Sequence, residues 1–199
     1  FNLIEIHNRP EYLNYLIKKK VNSKLIFFFH NNPKDIRGSK TVKERLNILE
    51  NTDKVFFVSQ WTKNKFFDGL PFKTKSNCEI IYPSLKKEKK FNKNKKKQIV
   101  FTGKLNSSKG YDLFGYTIIK ILNKYPQWSA IVAGNEPREK YYFKHKNLKI
   151  HNWLPHKEIL QIYDKSSISI VPSRWEEPFG RTAMESAAHG CATITSKKG

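Results

Sequence analysis

The chain has 199 residues, 38% of them hydrophobic and 14% aromatic, with 38 Lys and Arg against 17 Asp and Glu for a formal net charge of +21. Fourteen Phe, nine Tyr and four Trp are too many apolar anchors for a disordered chain, and no apolar run approaches the roughly 18 residues of a membrane helix, which excludes a multi-pass membrane protein. Two cysteines far apart, Cys78 and Cys191, form no CxxC pair, which argues against a disulfide framework or a cysteine-rich zinc site and suits a reducing cytoplasm.

Taken from the N-terminus, short runs rich in Ile, Val and Phe alternate with longer helical patterns. Strands are predicted at Leu3–Ile6, Leu25–Phe29, Lys54–Val58 and Ile80–Tyr82, and helices at Glu11–Lys20, Thr41–Asn51 and Thr62–Phe67. His7 ends the first strand in IEIHNRP and His30 ends the second in KLIFFFH. A lone histidine is more often structural, so only the strand-end position singles these two out. Arg9 and Arg37 fall in the loops that follow. Residues 84–97 come next; within them, 86–97 hold eight Lys and one Glu, +7 of the total +21, with almost no apolar content. They read as an exposed linker between an N-terminal α/β unit, 1–83, and a C-terminal one, 98–199.

The second half repeats the alternation. Strands are predicted at Gln98–Thr102, Ser129–Ala133, Leu148–His151, Ile168–Val171 and Ala192–Thr195, and helices at Tyr111–Lys124, His156–Asp164 and Phe179–His189. In the first of these helices Leu113, Phe114, Thr117, Ile118, Ile121 and Leu122 keep the 3.6-residue period. Strand–helix alternation of this kind predicts doubly wound parallel sheets, whose ligands bind beyond the carboxyl ends of the strands.

Two strand–loop–helix segments carry candidate chemistry. In FTGKLNSSKG, Gly103 and Gly110 permit tight backbone, and Lys104 and Lys109 bring two ammonium groups that suit a diphosphate; neither GxxxxGK[ST] nor GxGxxG is present. The competing view is an ordinary basic loop. In PSRWEEPFGRTAME, Gly180 lets a ligand approach the backbone, and a helix start offers free N–H groups to an anion. Glu177 and Glu185 lie eight residues apart, at most about 12 Å along a helix, which matches the two sugar-like ends of a diphosphate-bridged molecule. The bland alternative makes Glu177 a helix cap and Glu185 a surface charge.

PSRWEEPFGRTAME, with Glu-x7-Glu, resembles the donor-site signature of the retaining glycosyltransferases of family four. FTGKLNSSKG is similar to that family's phosphate loop, IVAGNEP to its following strand and turn, and IIYPS to its interdomain crossing. The resemblance implies the GT-B fold, two Rossmann-like domains facing a cleft, and sugar transfer from a nucleotide-diphosphate donor with retention at the anomeric carbon. It implies that Glu177 faces the sugar hydroxyls, Glu185 holds the ribose, and Lys104 and Lys109 bind the diphosphate with Phe179 and Gly180 amides. It sets Asn152, Trp153 and Leu154 against the nucleobase and His30 near the reacting sugar. His7, by its strand-end position, and Arg9 and Arg37, by their loop positions alone, are acceptor-side candidates. Lys104 stands where the family often has Arg, and Glu136 replaces a common Gly. The family's first strand with its Gly-rich loop, and its closing segment, are expected outside this sequence, as in a fragment of a longer protein.

No cofactor beyond the donor substrate is expected, and no metal: the five Asp, at 35, 53, 68, 112 and 164, make no Asp-x-Asp motif. The expected acceptor is a glycan or lipid-linked saccharide of the cell envelope. The expected location is the cytoplasm, with peripheral contact at an anionic inner membrane face. Two alternatives stay open: a nucleotide-binding module without catalysis, and a basic nucleic-acid-binding protein. Against the second, Lys outnumbers Arg 32 to 6, whereas base readers lean on the bidentate Arg fork, and no zinc-finger, helix-turn-helix or RNP motif occurs. Lys, Asn and Ile are residues of A/T-rich codons, so coding bias also accounts for basicity.

Overall fold

The computed structural model describes residues 1–85 and 94–198, which divide into two compact units at Ser84/Leu85. Most of the Lys-rich stretch expected to be a linker therefore lies outside the described residues.

The first unit is built from β1 (Leu3–His7), α1 (Pro10–Lys18), β2 (Lys24–Phe29), α2 (Val42–Glu50), β3 (Lys54–Phe57), α3 (Gln60–Phe67) and β4 (Cys78–Ile80). Its four strands are parallel and lie in sequence order, β1-β2-β3-β4. Parallel strands advancing in one direction with right-handed crossovers put every connecting helix on the same face. That face carries Ile6, Leu25, Phe27, Phe29, Val55, Phe57 and Cys78, packed against Leu13, Ile48, Leu49, Phe66 and Phe67. Aromatic rings dominate it, with Phe29 stacked on Phe57 at 5.7 Å and Phe66 tilted across both at 5.1 Å. Arg45, also fully buried, donates to the carbonyls of Ser39, Lys40 and Asp68 at 3.2, 2.6 and 2.7 Å and so fixes the loop before α2 to the end of α3. α2 starts where Thr41 and Glu44 form a reciprocal capping box. The fourth strand begins two residues earlier than its apolar run, Ile80–Tyr82, predicts, because Val55–Phe57 pairs with Cys78–Ile80 and leaves Ile81 and Tyr82 exposed.

The second unit comprises β5 (Lys96–Thr102), α4 (Tyr111–Lys124), β6 (Ser129–Ala133), β7 (Leu148–His151), α5 (His156–Lys165), β8 (Ser166–Val171), α6 (Arg181–Ala188) and β9 (Ala192–Thr195). All neighbours are parallel and the order is β7-β6-β5-β8-β9. This is the doubly wound order: the chain starts in the middle, winds one way through β6 and β7, then returns to the other side of β5. α4 covers one face with Phe114, Ile118 and Leu122 over Ile99, Phe101, Ala130 and Val132; Tyr163 of α5 packs on Val100 from the other. The order reverses between β5 and β8, and a crevice opens there at the carboxyl ends. Two boundaries differ from expectation. Lys96 and Lys97, assigned by charge to the linker, begin β5, since Lys96 pairs with Ser166. α6 starts at Arg181 rather than Phe179, because Gly180 sits at φ 79° and stops the helix from reaching further back.

Both cysteines are free and buried. Among the described residues no helix is long and apolar enough to cross a membrane.

Candidate functional site

β5 ends at Thr102 and β8 at Val171, the two strands at the reversal of order, and the loops that follow them are laced together. Asn106 shapes the first loop by accepting from the Lys109 amide at 3.0 Å and the Ser108 hydroxyl at 3.1 Å. The amides of Arg174 and Trp175 both donate to the Ser108 carbonyl at 2.9 Å. The Arg174 guanidinium grips Asp112 in α4 through two bonds, 2.6 and 2.9 Å, and donates to the Ser107 carbonyl at 2.6 Å. Gly110, at φ 72° before α4, is required twice over, since a Cβ there would lie 2.1 Å from the Pro172 carbonyl oxygen.

Within this frame the Lys109 ammonium is paired with the Glu177 carboxylate. The Ser173 hydroxyl donates to the same carboxylate at 3.0 Å. An ammonium and a carboxylate thus meet in the loops at the β5/β8 reversal, three residues before Gly180, whose Cβ position faces open space. Lys104 is exposed and Phe179 half-buried. The start of α6 carries no side-chain cap, so its first-turn amides are available to an anion.

Glu185 lies one turn into α6. It is only 7% exposed and lines a cavity of about 170 Å³ with Gly103, Gly134, Trp153, Leu154 and Tyr163. Its carboxylate accepts from Arg181 at 3.0 Å and faces His156 Nε2 at 3.3 Å. A buried carboxylate held by an exposed guanidinium and an exposed imidazole can exchange those partners for ligand hydroxyls. The cavity exists because two loop backbones touch: a Cβ on Gly134 would sit 1.7 Å from the Gly103 carbonyl oxygen. At its floor the Tyr163 hydroxyl bonds the Thr102 hydroxyl, and burial pushes that phenol well above its ordinary pKa.

The structure therefore brings Gly103, Trp153, Leu154 and Glu185 to one cavity, and Lys109 and Glu177 to one ion pair. Asn152, exposed, is not among the cavity's lining residues. Only Arg181–Ala188 is helical, so the loop between Glu177 and the helix is two residues longer than the expected helix start at Phe179 gives, and Glu185 follows after one helical turn. Glu136, in place of the family's glycine, is buried and held by Arg138 at 2.7 and 2.9 Å, which brings its carboxyl down to about 2. The turn keeps its shape by ion pairing. Sequence reasoning missed Gly134, His156, Tyr163 and the Arg174–Asp112 clamp. The Gly ending IVAG carries a readable signal, but Tyr163 reads as an ordinary core residue of an amphipathic helix.

In the N-terminal unit, His7 and His30 lie on the sheet face opposite the helices. His7 Nδ1 is 2.8 Å from His30 Nε2, the rings are stacked at 5.1 Å, and His7 stacks on Phe28 at 4.7 Å. The His30 amide donates to Asn8 Oδ1 at 2.9 Å. Partial burial and the neighbouring His7 lower the His30 pKa below its ordinary value. Arg9 precedes α1 and faces Glu11 at 3.7 Å; Arg37 is exposed next to Gly38, whose backbone rests on Pro10.

Residues 84–199 match the family described as glycosyl transferases group 1. YtcC of Bacillus subtilis (strain 168) is 22% identical over all of this chain, which spans 56% of that protein. The spore coat protein SA of the same organism is 23% identical over all of this chain and 60% of its own length. The chain thus spans little more than half the length of these two relatives. Among solved structures, Anabaena Alr3699/HepE in complex with UDP and glucose aligns over 100% of this chain and 60% of its own, with a TM-score of 0.72 at 17% identity. TarM aligns over 98% of this chain and 41% of its own, with a TM-score of 0.73 at 11% identity. These likenesses establish the fold: two Rossmann-like parallel-sheet domains of the GT-B class.

Proposed function

The chain belongs to the glycosyl transferases group 1, and from that membership and the geometry of its second unit we propose that it binds a nucleoside-diphosphate sugar and transfers the sugar to a hydroxyl acceptor with retention of configuration. The observation that carries the reading is Glu185, a buried carboxylate in a cavity walled by glycine backbone at the reversal point of a doubly wound sheet.

In this reading the nucleoside enters the cavity between Gly103, Gly134 and Leu154, and Glu185 leaves Arg181 and His156 to accept from the ribose hydroxyls. The diphosphate lies along the loop from Gly103 to Lys109 and at the first turn of α6. Lys109 turns from Glu177 to the phosphates and, with Lys104, offsets the charge on the departing diphosphate. Glu177, released and still bonded by Ser173, accepts from the hydroxyls of the transferred sugar. His30, with His7 beside it, serves the acceptor side, with Arg9 and Arg37 as further contacts. The UDP bound by HepE supports a uridine-type donor. The acceptor is a glycan or a lipid-linked saccharide of the cell envelope.

A panel of nucleoside diphosphates in thermal-shift assays tests the donor site. One member should raise Tm, and Glu185→Gln should abolish that rise while leaving the ligand-free Tm within about a degree of wild type. Lys109→Ala should weaken the diphosphate and leave the nucleoside alone unaffected. No rise with any diphosphate, or an equal rise in the Glu185 variant, overturns the site. Binding without turnover of any donor sugar identifies a nucleotide-binding module instead.

A further inference from the structure

We propose that the face formed by α4 and the β6–β7 connection docks onto an anionic lipid bilayer. The connection, residues 134–147, is fourteen residues without helix or strand, at a place where a parallel crossover ordinarily carries a helix. Loops this long inside a compact domain usually have a role of their own.

This loop is pinned at three points. Near its start Glu139 accepts from the Ser107 amide at 2.9 Å, and at its end the Asn147 side chain donates to the carbonyls of Pro126 and Trp128 at 2.8 and 3.1 Å. At its middle Phe143 lies in a seat on α4 that only glycine permits: a Cβ on Gly115 would fall 2.0 Å from the Phe143 ring. Edge-on contacts with Tyr111 at 5.6 Å and Tyr116 at 5.2 Å hold the ring there.

What the pinning presents to solvent is apolar and basic. Tyr142 is 87% exposed, Tyr116 65% and Leu113 50%. Lys120, Lys124, Lys140, Lys144 and Lys146, on α4 and the loop, are all exposed. From Leu113 to Lys149 the sequence holds two acids, Glu136 and Glu139, and both are engaged inside the loop, on Arg138 and on the Ser107 amide. The single guanidinium of the stretch, Arg138, is the one that pairs with Glu136. Lysine point charges without a free Arg fork suit many mobile headgroups better than a fixed polyanion. Exposed tyrosine rings settle at headgroup level, with one end apolar and the other wet.

The test is co-sedimentation of the chain with phosphatidylcholine vesicles and with vesicles also containing phosphatidylglycerol. Binding should require phosphatidylglycerol and weaken as salt shortens the Debye length from about 10 Å at 0.1 M to about 3 Å at 1 M. Each lysine near anionic headgroups multiplies affinity by about fivefold, so Lys140→Glu/Lys144→Glu/Lys146→Glu should lower it by about a hundredfold or more. Tyr142→Ala should lower it severalfold. A control with the same charge change in the other unit, Lys18→Glu/Lys19→Glu/Lys43→Glu, should leave most of the binding. Equal binding to neutral vesicles, or equal loss in the control, overturns the proposal. So does capture of a single-stranded oligonucleotide by the same lysines with no vesicle binding. The nucleoside-diphosphate Tm shift, read in parallel, should be unchanged in the face variant, so failure here is separate from failure of the donor site.

Discussion

Single residues decide whether each half of the proposed donor site can exist. Gly134 and Gly103 touch through backbone, and a methyl group on Gly134 would force apart the two loops that wall the cavity Glu185 lines. Glu177 and Glu185 are both occupied in the ligand-free protein, by Lys109 and by Arg181 with His156, so a ligand must exchange partners rather than fill a vacancy. In the other unit His30 makes its own prediction. Burial and the facing His7 lower its folded pKa below the ordinary 6.5. Between the two values the unfolded chain binds the proton and the folded chain does not, so stability is full above about pH 6.5 and falls as the solution is acidified below it. Melting curves between pH 7.5 and pH 5 should show this loss, and His30→Gln, which cannot take up the proton, should show less of it. An identical slope in the variant would remove His30 as the source.

At the level of elements, α5 and α6 are tied together at their carboxyl ends by one side chain from the segment before β5. The Lys95 ammonium donates to the carbonyls of Tyr163 at 2.9 Å, Asp164 at 3.2 Å and His189 at 2.7 Å. A cation at two helix carboxyl ends satisfies orphan carbonyls and opposes both dipoles. Lys95→Met keeps the stem and removes the charge. It should cost about 1–3 kcal/mol in urea unfolding, and it should also weaken nucleoside diphosphate, because α6 carries Glu185. An unchanged urea midpoint would mean that water replaces the ammonium without loss. Arg174 works likewise between loops, gripping Asp112 and the Ser107 carbonyl. Its neighbour Trp175 and the Glu176–Glu177 pair dominate a reading of the sequence, yet Arg174 is what fastens the two halves of the crevice.

Across the whole molecule, a charge of +21 on 199 residues leaves a surface that repels itself. The ion pairs of the described residues are few beside that excess, so added salt should raise Tm by screening; a Tm that is flat or falls between about 0.05 and about 0.5 M would mean that the charges are already balanced locally. Periodicity was enough to read the strand–helix alternation, because buried parallel strands are continuous apolar runs bounded by polar turns. It was also enough to locate the loops at Gly103–Gly110 and Pro172–Gly180, because strand, glycine and helix onset are local in sequence. It misplaced the fourth strand and the start of α6, since one is set by pairing with β3 and the other by the left-handed backbone of Gly180. The sequence by itself determined the alternating α/β character, the charge imbalance and the chemical types gathered in the two glycine-containing loops. Only the tertiary structure decided which of them meet: the β5/β8 reversal, the Gly103–Gly134 contact, the Glu185 cavity and the Phe143 seat on Gly115. The physical reason is range, because local pattern reports the burial and propensity of neighbours along the chain, whereas a site is made by packing segments thirty to eighty residues apart.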